Sequence, residues 1–445
     1  MDSTGTSPPI LSGFYKPQNL KGLFYGPEVV KSHLLSCLPT TTSRAFIITG
    51  ESLYTKTPLI SFVEEILSPE RHAGTFSKIK QHVPIAEVNE AVSVIVQSQN
   101  SDESPAIDTV ISVGGGSPIC AAKVISHIHW VQTGKFLSHI TIPTTLSAAE
   151  CTTSAGYKDT DGTKKAVNHP SLTPEHVLYD PYFGSYTPPT LFLSTGIRAL
   201  DHAVEAQYHP LTPHFPSKIL ALESISLLFT HLPIYHEHHH RQPQPQPPHQ
   251  IPSNSLTQTI TTLFLASHLS LSYLGIPPPT YGPLGLSHVL GYAIGSPYNI
   301  PHGITSCMTL SPTIRLKTRI GDPETLKNIA RIAKYIPETH DTNNQATATA
   351  ATTIPSTDLA LAQAEKVSSA IESLIESLGL QRSLSKDYNL GKDQVDVIVE
   401  RVVGKKGNGG GIGYMGKLID VESGGKEEVW GRLERGVRMV VEGLF

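Results

Sequence analysis

Residues 110–123 read VISVGGGSPICAAK, and this stretch decides the fold. The apolar, β-favouring VISV reads as a buried strand. Gly114, Gly115 and Gly116 turn the chain, and Ser117 opens the way to a helix expected over residues 118–128. A strand that is apolar along its whole run has both faces covered, which is the habit of parallel sheets. Glycines at its end let the backbone turn sharply and approach a ligand. The helix N-terminus then offers unpaired N–H groups and a positive dipole end to a pyrophosphate. Strand, glycines and helix in this order read as a nucleotide-binding turn; the plainer alternative is a tight connection with no ligand.

The flanking sequence repeats the pattern. Residues 45–49 (AFIIT) read as another buried strand closed by Gly50, with a helix over 58–67. Residues 139–142 (HITI) read as a third strand, followed by Pro143, Thr144 and Thr145. Hydroxyls at the carboxyl edge of a parallel sheet are placed to bind a cofactor, although capping of the next turn would use them equally well. An acidic residue where Gly50 stands would hold a ribose 2′-hydroxyl and exclude a 2′-phosphate. Glu51 is the nearest acidic group, so the cofactor is expected to be NADH or NADPH.

After about residue 187 the character changes. Residues 191–208, 217–232 and 255–274 carry apolar side chains at three- and four-residue spacing, the period of a helix. The expectation is α/β plus all-α: a dinucleotide-binding domain over 1–187 and a helical domain over 188–445. Two stretches look inserted. Residues 235–253 (YHEHHHRQPQPQPPHQIPS) have a composition favouring a disordered loop over a metal-binding tract, and the Thr/Ala-rich residues 339–357 read as a linker. The glycines of 404–411 (GKKGNGGG) lack a preceding strand and read as a flexible loop.

Composition narrows the class. Across 445 residues, 34 Lys and Arg against 38 Asp and Glu leave a net charge of −4, which invites neither nucleic acid nor an anionic membrane. The four cysteines (Cys37, Cys120, Cys151, Cys307) have no paired spacing, as expected in a reducing compartment. The N-terminus shows no secretory pattern and no run was read as a membrane span. A cytoplasmic enzyme is the simplest expectation.

Three histidines suggest where its chemistry lies. His202 stands in GIRALDHAVEA, and His288 and His302 bracket SHVLGYAIGSPYNIPHG. Arg198 and His202, and likewise His288 and Tyr292, are four residues apart and share a helix face. Three imidazoles could bind a divalent ion, but a site of that kind normally adds a carboxylate. Here the neighbour is Arg198, whose permanent charge opposes a dication, while Asp201 is expected about a quarter-turn away. The residues therefore favour no metal, with His202, His288 and His302 the ligands if one binds. Arg198 suits a substrate carboxylate; its bland alternative is a salt bridge to Asp201 or Glu205.

These pieces, with ITGESL, IPTTLSAAE and VLYDP, occur in the order of a known family. The chain resembles the iron-type alcohol dehydrogenases, a superfamily that includes dehydroquinate synthase-like enzymes. The resemblance implies an active site in the cleft between the two domains, and a homodimer. It implies pyrophosphate contacts from Gly114, Gly115, Gly116 and Ser117 and cofactor contacts from Thr144 and Thr145. It puts His202, His288 and His302 at three of four metal-ligand positions and Arg198 at the fourth, where the family has aspartate. Cys120 replaces a further aspartate, Tyr292 replaces a histidine near the nicotinamide, and the TTLSAAE loop is one residue short. These departures resemble the maleylacetate reductase branch of aromatic catabolism, which reduces a carbon–carbon double bond of a dicarboxylate with NADH or NADPH. In that reading Arg198, His202, His288, Tyr292 and His302 are catalytic, and Lys164 or Lys165 holds a second carboxylate. The alternatives are a metal-dependent alcohol dehydrogenase, a non-redox lyase, isomerase or cyclase built on the same cleft, and a catalytically dead binding or scaffold protein.

Overall fold

The computed structural model describes residues 20–99, 106–209, 212, 214–241, 253–271, 285–337, 357–404 and 427–445. In the first half, β1 (Gly22–Tyr25) leads to α1 (Val29–His33). Next come β2 (Arg44–Ile48), α2 (Glu51–Lys56), α3 (Leu59–Arg71), β3 (His72–Phe76) and α4 (Ile85–Gln99). β4 (Ile107–Gly114), α5 (Gly116–Thr133) and β5 (Ser138–Pro143) follow. An antiparallel hairpin of β6 (Ser154–Lys158) and β7 (Lys164–Asn168) precedes β8 (His176–Tyr179).

The six-stranded sheet runs β1-β8-β5-β4-β2-β3, and every neighbouring pair is parallel. Its alternating side chains feed two cores. Ile47, Ile111, Ile140 and Leu178 pack with Leu59, Ile60 and Val63 of α3. Ile48 and Val110 pack on the opposite face with Val88 and Ile95 of α4 and Ala121 and Ile125 of α5. Two covered faces explain why the strands are apolar throughout. From β2 the chain steps outward to β3, then crosses back to lay β4 on the other side of β2. The carboxyl ends of β2 and β4 thus flank the switch point, where a parallel sheet opens a crevice. Gly50 and Gly114 stand there.

Beyond β8 the described elements are all helical. They are α6 (Pro181–Ser185), α7 (Pro189–Tyr208), α8 (Ile219–Arg241), α9 (Asn254–Ser270), α10 (Leu286–Ile294) and α11 (His302–Ile320). These continue with α12 (Pro323–Ile332), α13 (Thr357–Ser377), α14 (Leu384–Tyr388), α15 (Gln394–Val403) and α16 (Glu427–Gly443). Pro189 opens α7 at the first helical position, where a missing N–H is harmless. Nearly all of α7 is buried, because α8, α9, α11 and α12 pack around it.

The structure corrects the sequence expectations in places. The supposed insertion at 235–253 begins as ordered helix. Leu228, Leu232 and Tyr235 carry the apolar stripe of α8 a turn further, and Tyr235 is fully buried with its ring 4.6 Å from that of Phe192. Residues 242–252, 339–356 and 405–411 lie outside the described residues. The stretch His214–Arg241 is long and apolar enough to cross a membrane, contrary to expectation. Its Leu222, Ile225, Leu228 and Leu232 instead join the main helical core. The short α2, which begins directly at Glu51, has no counterpart in the sequence reading.

Candidate active site

The rim of the sheet is built by close backbone approach. Gly114 has φ +140°, a conformation costly for any side chain. A Cβ on Gly115 would lie 2.9 Å from Thr145 Cγ2, so only glycine lets the turn lie against the loop after β5. Two hydrogen bonds hold the rim together: Thr49 Oγ1 donates to Val113 O at 2.9 Å, and Thr144 N to Gly114 O at 3.0 Å. Gly115 caps α5 with no side chain, leaving the helix start open. Thr145 Oγ1 and Ser147 Oγ are buried there without a partner. Open helix N–H groups beside buried, unpaired hydroxyls fit an anionic cofactor.

Lys123 fixes this loop from behind. It is fully buried, and its Nζ donates to Ala149 O at 2.7 Å and Thr152 Oγ1 at 2.8 Å. Burial lowers its pKa to about 8.

Across the cleft the helices present the second half of the site. α11 approaches α7 so closely that a Cβ on Gly303 would lie 2.8 Å from the Ser194 backbone. That contact sets His302 against Arg198, whose Nη1 donates to His302 O and Ser306 Oγ, each at 3.4 Å. The expected alternative of an Arg198 salt bridge to Asp201 or Glu205 is not formed: both carboxylates turn toward His288. His288 Nδ1 lies 2.7 Å from Glu205 Oε2 and 3.5 Å from Asp201 Oδ2. Ser287 N donates to Glu205 Oε1 at 2.7 Å, while Ser287 Oγ at 3.0 Å and Ser306 Oγ at 2.7 Å donate to Asp201 Oδ2. Asp201 therefore belongs to the histidine cluster, contrary to the quarter-turn argument. α10 packs beside α7 and brings His288 to the side on which Asp201 projects.

The remaining predicted residues converge. The His202 and His288 rings stack at 4.7 Å, and Tyr292 meets His302 edge-on at 5.9 Å. Lys164 Nζ lies 4.1 Å from the Tyr292 ring centre and Arg198 Cζ lies 5.9 Å from it. The ring's negative faces attract both cations. Lys165 points elsewhere and pairs with Asp159, so Lys164 is the lysine of the cleft. Although Lys164 keeps solvent-accessible surface, crowding by protein atoms and the Arg198 charge lower its pKa to about 8. Burial, reinforced by Arg198 among other cationic neighbours, holds His202 and His302 well below the usual imidazole value. Burial opposes charge on His288 as well, but the two carboxylates outweigh it and raise its pKa.

One cleft residue was missed. His82, between β3 and α4, meets His302 edge-on with ring centres 5.4 Å apart. His82 and Val83 both have positive φ, 65° and 53°, and His82 Nε2 is buried without a partner. Strain of this kind clusters at functional sites. The only sequence signal was a histidine in a stretch without periodicity.

Residues 23–181 match the family described as iron-containing alcohol dehydrogenase, and residues 280–411 match its C-terminal domain. The chain belongs to the iron-containing alcohol dehydrogenase family. It is thus an oxidoreductase of an NAD(P)-dependent family. It is 27% identical to the 1-propanol dehydrogenase of Citrobacter freundii over 67% of this chain and 74% of that protein. It is 28% identical to maleylacetate reductase 2 of Cupriavidus pinatubonensis over 58% of this chain and 62% of the relative. Maleylacetate reductase from Agrobacterium tumefaciens shares the fold with a TM-score of 0.69 at 18% identity, covering 98% of this chain and 99% of that one. A 1,3-propanediol oxidoreductase does so with a TM-score of 0.74 at 18% identity, covering 97% and 100%.

Proposed function

We propose that this family member is an NAD(P)H-dependent reductase of the maleylacetate reductase type. It would reduce an activated C=C or C=O bond of a small carboxylated substrate without a metal. The observation that carries this reading is the pair of cations, Arg198 and Lys164, converging on Tyr292 in the cleft opposite the glycine rim. Two positive charges, one permanent and one present below about pH 8, suit a dicarboxylate, and the Arg198 guanidinium suits a bidentate contact. The relatives named maleylacetate reductase add support.

A bound NADH or NADPH supplies the hydride. The rim formed by Gly114, Gly115, Gly116, Ser117, Thr144 and Thr145 would hold its pyrophosphate, and Gly50 would leave room for either ribose. Arg198 would bind one carboxylate and stabilise negative charge as it develops on the substrate. Lys164 would hold the second carboxylate. Tyr292 would return a proton, neutral His302 would polarise the substrate oxygen, and His288, anchored by Glu205, would fix the His202 ring it stacks on.

The family's iron does not fit these residues. At the position implied for it, Arg198 would bring a cation of several kcal/mol repulsion. Among the described residues the ligand atoms that gather within 4.8 Å are those of Asp201, Glu205 and His288; His288 is already hydrogen-bonded to Glu205, and the two carboxylates accept from Ser287 and Ser306. One observation favours the metal-dependent alcohol dehydrogenase instead. His288 Nε2 is buried and unpaired while Nδ1 is held by a carboxylate, as in many ligating histidines.

The deciding experiment is NADH and NADPH oxidation by chelator-treated protein with maleylacetate, with metal content measured on the same sample. Turnover without metal is expected. Activity restored only by iron or zinc would overturn the metal-free reading, and cofactor binding without turnover would overturn the substrate class. Arg198→Asp should abolish the native reaction and restore the family's fourth ligand.

A further inference from the structure

The histidine-rich tract that the cleft does not use ends α8. Four of its histidines lie on the helix, and they divide by face. His239 packs against Tyr235 at 4.5 Å and meets His238 edge-on at 5.8 Å. His236 and His240, four residues apart, face outward together with their Nε2 atoms 2.9 Å from each other. Glu237 is engaged with Arg241 and stands aside from the pair.

We propose that His236 and His240 form a surface chelate for a divalent transition ion of the copper(II) or nickel(II) class, distinct from the cleft. Metal–imidazole bonds are about 2.0–2.1 Å long, so two of them at a right angle span about 2.9 Å between nitrogens. A tetrahedral angle would need about 3.3 Å. The two rings are hydrogen-bonded at 2.9 Å, a separation that also matches the bite of adjacent positions in a tetragonal or octahedral site, the geometry of copper(II) and nickel(II), so that a metal can replace the shared proton. Helical backbone fixes the spacing in advance, so little ordering is left for the metal to do. His240 also lies in the last turn of α8, where the carbonyl ends of the helix favour positive charge. Water fills the remaining positions, so each chain carries its own site.

The test is calorimetric titration of the full chain with copper(II) and nickel(II) chloride, near neutral pH in a non-coordinating buffer. The wild type should bind one equivalent more than His236→Ala or His240→Ala, or bind it tighter by about tenfold or more. His239→Ala should keep that equivalent. Binding in the cleft, if any, remains in every variant and does not enter the difference. Far-ultraviolet dichroism checks that the helix persists; alanine at these positions favours it. Equal stoichiometry and affinity in wild type and His236→Ala would overturn the proposal. So would a loss in His239→Ala as large as in His236→Ala, because binding would then belong to the tract as a whole.

Discussion

The two sides of the cleft are built in opposite ways. The glycine rim is mostly local: one strand, one glycine turn and one helix run contiguously from Ile107 to Thr133, and the nearby loop bearing Thr144 and Thr145 closes against them. The opposing wall is assembled from α7, α10, α11, the β7 strand and the loop carrying His82, drawn from far apart in the chain. The rim works through bare backbone and a few hydroxyls. The wall works through charges whose values depend on their neighbours. A damaged rim should therefore lose cofactor and little else, whereas a damaged wall should lose substrate and chemistry with the cofactor still bound.

The sharpest way to break this contrast is Arg198→Met. It removes a buried charge from the substrate side, and kcat/KM for a carboxylated substrate should fall by about 10²–10³-fold. NADH affinity, followed by fluorescence, should stay within about twofold of wild type. An equal loss of cofactor binding would mean that the wall and rim are one unit.

Gly115→Val attacks the other side. Its Cβ would meet Thr145 at 2.9 Å, so the rim must open. NAD(P)H should bind about tenfold to a hundredfold more weakly, about 1.4–2.8 kcal/mol. Unchanged cofactor affinity in a folded variant would remove the glycine turn from the cofactor site.

A smaller effect separates Lys164 from Arg198. The Lys164 ammonium is charged below its pKa of about 8 and neutral above it. Carboxylate binding should thus weaken as pH rises through that value, with KM climbing toward about tenfold per unit, while kcat moves less. Lys164→Met should raise KM at low pH and flatten the profile. A profile that keeps its slope in that variant would assign the titration to another group.

A fourth test touches neither wall directly. Lys123→Met removes the donor to the Thr152 carbonyl and one of the donors to Ala149 O, which keeps Thr152 Oγ1. Unpaired buried groups cost about 1–3 kcal/mol, so denaturant unfolding should shift by that amount. Cofactor affinity should fall with it, because the loop bearing Thr145 loosens. Stability loss with untouched cofactor binding would separate this lysine from the rim.

Much of this was legible in the chain. The strands read at 45–49, 110–113 and 139–142 overlap those observed at 44–48, 107–114 and 138–143, because a parallel sheet with two covered faces leaves continuous apolar runs. The glycine turn was readable because its conformation admits almost no other residue. The long helices α7, α8 and α9 declared themselves by their period, although the buried end of α8 was lost in a composition that resembles disorder.

The sequence by itself determined the alternation of elements, the position of the rim and the identity of Arg198 where a carboxylate ligand would stand. Only the tertiary structure decided that Asp201 and Glu205 turn to His288, that Lys164 rather than Lys165 enters the cleft, and that His82 reaches His302. The reason is physical: backbone conformation and burial periodicity are short-range and leave a local trace. A side chain's partners, and hence its charge state, are set by whichever distant element packs against it.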